Sequence, residues 1–180
     1  MMTPAFWARP DWLGTPWLTR RNDHSQEFQE LKILHLNKGL FMGTVSVTVT
    51  MQNPGSETWK VIREFGNLIK WAPDVAQMQL TGSGVGAVRT VIFHDGARAV
   101  ERLESLNDAS QTLSYTILES TLPVEGYVAS LTVRDLGGAG CEVEWYSTFG
   151  AKGAPEKEVS GLLEAFYRKS LGGLQKFLRR

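Results

Sequence analysis

Polar and apolar positions first alternate cleanly at Thr44. Val45, Val47, Val49 and Met51 are separated by Ser46, Thr48 and Thr50, the two-residue period of a strand with one buried face. Asn53-Pro54 then reads as a helix start, with Glu57 in the first turn. Trp59, Ile62 and Phe65 form one apolar face of a short helix that Gly66-Asn67 ends. Leu68 to Trp71 makes a second short helix, cut off by Pro73. Six further strands are predicted at about 75–81, 85–93, 97–106, 112–119, 126–136 and 141–151. Asn107-Asp108 and Gly137-Gly138-Ala139-Gly140 supply turns between neighbours, so the sheet is expected to be largely antiparallel. After Ala154-Pro155, residues Val159, Leu163, Phe166, Ser170, Leu174 and Phe177 recur at steps of three or four, the mark of a long amphipathic helix. At 1.5 Å per residue it reaches roughly 35–40 Å, enough to cross the sheet. The order predicts an α+β layer pair, a curved antiparallel sheet of about seven strands gripping one long C-terminal helix.

Residues 1–41 do not share this regularity. Trp7, Trp12 and Trp17 are interspersed with Pro4, Pro10 and Pro16, with no sustained period. They read as a poorly ordered extension, or as a mis-assigned start with Met42 the true first residue; the rival reading is a tryptophan strip that docks a protein partner or the domain's own groove. Residues 42–180 form the predicted domain. Lysines and arginines balance aspartates and glutamates at 19 each among 180 residues, which gives no electrostatic case for nucleic acid. The lone Cys141 excludes an internal disulfide, and no apolar run has the length of a membrane span, so a cytoplasmic protein is expected.

Strand alternation also assigns faces. Arg89, Val91 and Phe93 share a side, as do Ala99 with Glu101, and Tyr115 with Ile117. Tyr127, Ala129 and Leu131 form another such set, and Cys141, Val143, Trp145 and Ser147 a fourth. The opposite faces carry Ser114, Thr116, Ser130, Thr132, Glu142, Glu144 and Tyr146, which suit water. The inward set is apolar and aromatic except for Arg89 and Glu101, and a pocket for a ligand is a mostly apolar concavity with a few placed polar groups. Those two charges can brace adjacent strands as an internal pair, or meet a carbonyl or hydroxyl of an apolar ligand. Leu163, Phe166 and Ser170 would close the space from the helix. One loop stands out, Glu119 to Tyr127 (ESTLPVEGY), which holds Leu122, Pro123 and Val124 between two strands. An apolar tip of this kind suits a lid that buries its side chains on a ligand, each contributing on the order of 1.5 kcal/mol.

Gly84-Val-Gly-Ala-Val-Arg-Thr-Val91, Glu101-Arg-Leu103, Leu113-Ser-Tyr-Thr-Ile117 and Leu122-Pro-Val-Glu-Gly-Tyr127 resemble the helix-grip superfamily. Its members include the Bet v 1 allergens, START lipid-transfer domains, plant abscisic acid receptors and bacterial polyketide cyclase/dehydrase and lipid-transport-like proteins, the last being the nearest in look. The resemblance covers about residues 42–180. It implies a cavity between sheet and helix, with His94-Asp-Gly-Ala97 at the position of a gate and Leu122-Pro-Val124 at that of a latch. The gate is shorter than in the receptors, and Val75-Ala76 stand where those carry a carboxylate-binding lysine, which argues against abscisic acid.

Other chemistry is poorly supported. Gly82-Ser-Gly-Val-Gly-Ala87 precedes a strand rather than the helix that a dinucleotide fingerprint requires. His24, His35 and His94 have no metal spacing, Cys141 reads as a buried thiol, and His94-Asp95 as a solvated turn. No cofactor or metal is expected. The leading expectation is a binder of one small hydrophobic molecule: a lipid, isoprenoid or polyketide-like compound. Second comes a cyclase or dehydratase in which Glu101 takes a proton beside a ketone and Arg89 or a tyrosine steadies the enolate. A protein-interaction module is third.

Overall fold

The computed structural model describes residues 42–179. The N-terminal extension and its tryptophan strip lie outside the described residues. The alternating segment forms β1 (Gly43–Met51), with Val45, Val47 and Met51 buried and the intervening serine and threonines exposed. Helix α1 (Gly55–Ile62) follows Pro54, and its first N–H, on Gly55, donates to the Asp135 carboxylate at 3.0 Å. A negative group at a helix N-terminus is favoured by the helix dipole. Phe65 falls in a single 3₁₀ turn (Phe65–Asn67) rather than on the α1 face, and α2 (Leu68–Trp71) completes the crossing.

Six strands follow: β2 (Val75–Thr81), β3 (Val88–Phe93), β4 (Arg98–Asn107), β5 (Thr112–Ser120), β6 (Val124–Asp135) and β7 (Cys141–Ala151). With β1 they form one antiparallel sheet in the order β1-β7-β6-β5-β4-β3-β2. Register shifts in β2, β4 and β6 mark bulges, which bend strands and curve the sheet. Two boundaries differ from the sequence expectation. Strand β3 starts at Val88, because Gly82, Gly84 and Gly86 all adopt positive φ and turn the chain there. Strand β6 starts at Val124, so the presumed long lid is a three-residue link. Pro123 sits at the centre of a tight turn in which Val124 N–H donates to the Leu122 carbonyl at 2.8 Å.

Helix α3 (Glu156–Leu178) closes the chain and packs on β1, β7 and α2. Its buried face is Val159, Leu163, Tyr167, Ser170, Leu171 and Leu174, whereas Phe166 and Phe177 are half-buried. Helix α3 comes close to α2 at Gly173, where a Cβ would lie 2.0 Å from the Trp71 carbonyl oxygen. A Cβ on Gly172 would meet nothing within 4 Å. Among the described residues no helix is long and apolar enough to cross a membrane.

Candidate functional site

Where α3 runs past the inner faces of β3 to β6, the two layers touch through Phe93 with Phe166 and Tyr127 with Tyr167, and a cavity of about 530 Å³ remains between these contacts. Phe93 at the end of β3, Ile117 on β5 and Leu163 and Phe166 on α3 give it apolar walls. Leu122, Pro123 and Val124 close one side, Val124 as a buried member of β6. Beneath the cavity, Trp145 stacks on Tyr167 with ring centroids 4.6 Å apart and meets Phe166 edge-on at 5.6 Å. Aromatic packing of this kind holds the rings in fixed places.

The deep end is polar. Arg89 and Glu101 are direct neighbours across β3 and β4, and Arg89 Nε donates to Glu101 Oε2 at 2.5 Å. Both are buried, with side chains only 4% and 8% exposed. Arg89 Nη1 also donates to the Phe65 carbonyl at 2.9 Å, and the guanidinium lies 3.9 Å from the centroid of the Phe65 ring. The arginine therefore sits behind the wall while Glu101 lines the cavity. Beside Glu101, Tyr115, Tyr127 and Tyr167 also line it. Trp145 Nε1 donates to the Tyr115 hydroxyl at 3.1 Å, that hydroxyl lies 3.3 Å from Tyr127, Tyr127 lies 2.5 Å from Tyr167, and Tyr167 donates to Ser147 Oγ at 2.8 Å. Burial pushes all three phenols above their ordinary pKa. The Glu101 carboxylate adds to this at Tyr115 and Tyr167. They stay protonated through the physiological range.

The mouth is charged. Lys169 on α3 is ion-paired with Asp74 just before β2, and His94 and Asp95 in the β3–β4 turn complete the rim. The Asp95 carboxylate accepts the Ala97 N–H at 2.9 Å, which fixes that turn. The other turn is held at its ends. Thr121 N–H donates to the Arg98 carbonyl and Lys152 N–H to the Pro123 carbonyl.

Of the residues singled out in the sequence, the fold brings Phe93, Glu101, Tyr115, Ile117, Leu122, Pro123, Val124, Tyr127, Leu163 and Phe166 to the cavity wall. Arg89, Val91, Ala99, Ala129, Leu131, Val143, Trp145 and Ser170 also face inward but are buried outside the lining. The central sheet is already covered there by aromatic rings and α3. Tyr167 is the main omission. It stands four residues after Leu163 on the same helix face, so the signal was present in the spacing. Asp74 and Lys169 meet across 95 residues, which no local pattern announces. Cys141 is away from the cavity, its thiol donating to Thr58 Oγ1 at 3.3 Å, and burial raises its pKa. No group of three or more His, Cys, Asp or Glu that could hold a metal occurs among the described residues.

Residues 42–179 match the family model described as polyketide cyclase / dehydrase and lipid transport. Among solved structures, an uncharacterised protein from Bacillus thuringiensis is 28% identical, with a TM-score of 0.69 over 76% of this chain and 99% of that one. The protein XoxI from Bacillus cereus is 29% identical, with a TM-score of 0.67 over 76% and 95% of the two chains. Ara h 8.0201, at 20% identity, shares the fold, with a TM-score of 0.65 over 77% of this chain and 99% of its own. Among curated proteins, none matches this chain.

Proposed function

Because the chain belongs to the polyketide cyclase / dehydrase and lipid transport family, we propose that it binds one small hydrophobic molecule in the cavity between sheet and α3. The observation that carries this reading is the cavity itself: about 530 Å³, with walls of Phe93, Ile117, Leu122, Leu163 and Phe166 and a polar end of Glu101 and three phenols. That volume and mixture are those of sites for single lipid- or drug-sized ligands. The turns at 94–97 and 122–124 gate the mouth. Leu122 and Pro123 are only half-buried, so closing onto a ligand removes further apolar surface from water. The test is titration with the fluorescent hydrophobe N-phenyl-1-naphthylamine, together with native mass spectrometry of gently purified protein. Saturable probe binding, lost when Phe166→Asp places a charge in the wall, is the expected result. No probe uptake and no co-purifying hydrophobe would refute the proposal.

A proton-transfer enzyme is the second reading. Glu101 lines the cavity, and among the described residues only its Oε2 is hydrogen-bonded, so Oε1 is the atom that would take a proton. Turnover lost in Glu101→Gln with probe affinity retained supports this reading; equal loss of both counts against it.

A further inference from the structure

The donors and acceptors at the deep end can be counted. A phenol has one proton to give and two lone pairs to receive. Tyr167 gives its proton to Ser147 Oγ. In the contact between Tyr127 and Tyr167 the donor is therefore Tyr127. Its proton is then spent, so Tyr115 is the donor to Tyr127. Tyr115 itself receives the indole N–H of Trp145. All three phenolic protons are committed inside the protein, and each oxygen keeps one unused lone pair. Glu101 is a pure acceptor with Oε1 unengaged among the described residues, and its charge is already met by Arg89. The four polar side chains that line this end of the cavity thus offer lone pairs only; the unpaired Nη2 of Arg89 is a donor too, but it is buried behind the wall, outside the lining.

We propose that the cavity selects neutral hydrophobes bearing a hydrogen-bond donor, an alcohol or a phenol, and seats that hydroxyl at Glu101 and the tyrosines. This rests on the hydrophobic-ligand reading and names the ligand class within it. A ketone or an ether brings lone pairs to lone pairs and leaves buried polar groups unsatisfied. A cation would leave a net buried charge beside a pair that already balances. Ligand acceptors belong at the mouth, where Lys169 and His94 carry donors.

The experiment displaces N-phenyl-1-naphthylamine with three compounds on one skeleton: 2-naphthol, 2-methoxynaphthalene and 2-acetylnaphthalene. The naphthol is expected to bind about tenfold more tightly than the ether or the ketone. Tyr127→Phe supplies the control that packing alone does not explain. It removes the acceptor of the Tyr115 proton, so a donor becomes available and the ketone should gain on the naphthol. Equal or tighter binding of the ether or ketone by the native protein overturns the inference while leaving the hydrophobic-ligand reading intact, as does an unchanged ranking in Tyr127→Phe. Probe uptake without displacement by any of the three also overturns it. No uptake of the probe at all removes the underlying reading, and the inference with it.

Discussion

Arg89→Met tests whether the charges at the deep end brace the sheet. Methionine keeps most of the arginine's length and apolar stem but removes the guanidinium. Glu101 is then left beneath a surface that exposes only 8% of its side chain, with its 2.5 Å partner gone. Removing one member of such a pair costs about 3–5 kcal/mol. The Phe65 carbonyl loses its 2.9 Å donor as well, which places the expected loss near the upper part of that range. Against a domain stability of about 5–15 kcal/mol, the variant should remain folded at 25 °C, with a midpoint lower by roughly 10–15 °C. Glu101→Gln should cost about 3 kcal/mol by orphaning the guanidinium instead. The double variant should lose no more than Arg89→Met alone, because the second change removes the charge that the first had stranded. Urea unfolding followed by tryptophan fluorescence gives all four free energies by linear extrapolation. Losses that simply add, or an Arg89→Met loss under about 1 kcal/mol, would refute the brace.

Two further outcomes follow from the structure. Gly173→Ala should destabilise by about 3 kcal/mol or more, since its Cβ would strike the Trp71 carbonyl, whereas Gly172→Ala, with nothing within 4 Å, should stabilise by about 1 kcal/mol; thermal midpoints of the two variants check the opposite signs. The three phenols whose pKa burial raises contribute stability that is intact below their unfolded value of 10.0 and is lost as pH rises through the folded values. While all three remain protonated in the fold, the loss approaches about 4 kcal/mol per pH unit above pH 10, and Tyr127→Phe should reduce that slope by about a third. Urea midpoints across the alkaline range measure it, and a flat profile would show that the phenols ionise inside the fold.

The sheet was legible because its alternation is nearly unbroken. Strands β2 and β7 fall at their expected residues, and the serines, threonines and glutamates assigned to water do lie on the outer face. The helix was legible in extent but not in its exact face. Steps of three and four from Leu163 lead to Phe166 or to Tyr167; both rings meet Trp145, and the buried hydroxyl bonds of Tyr167 to Tyr127 and Ser147 are what mark the tyrosine as the inward one. Pro123 masked the start of β6, since a proline reads as a break while here it makes the turn that permits the strand. The pairing of Arg89 with Glu101 was open to the eye because the two sit across one hairpin. The hydroxyl relay was not, for it joins β5, β6, β7 and α3, and no sequence period relates hydroxyls on four separate elements.

Among the described residues, the first strand of the sheet finds its only strand partner in the last. Gly43 pairs with Phe149 and Met51 with Cys141, so roughly a hundred residues must be made before β1 has a neighbour. A nascent chain emerging from the ribosome therefore carries a free, valine-rich edge for most of its synthesis, open to the wrong pairing. Chaperone dependence, or inclusion-body formation on rapid overexpression, is the expected consequence of this late closure, and a circular permutant in which β1 follows β7 and α3 in sequence should relieve it.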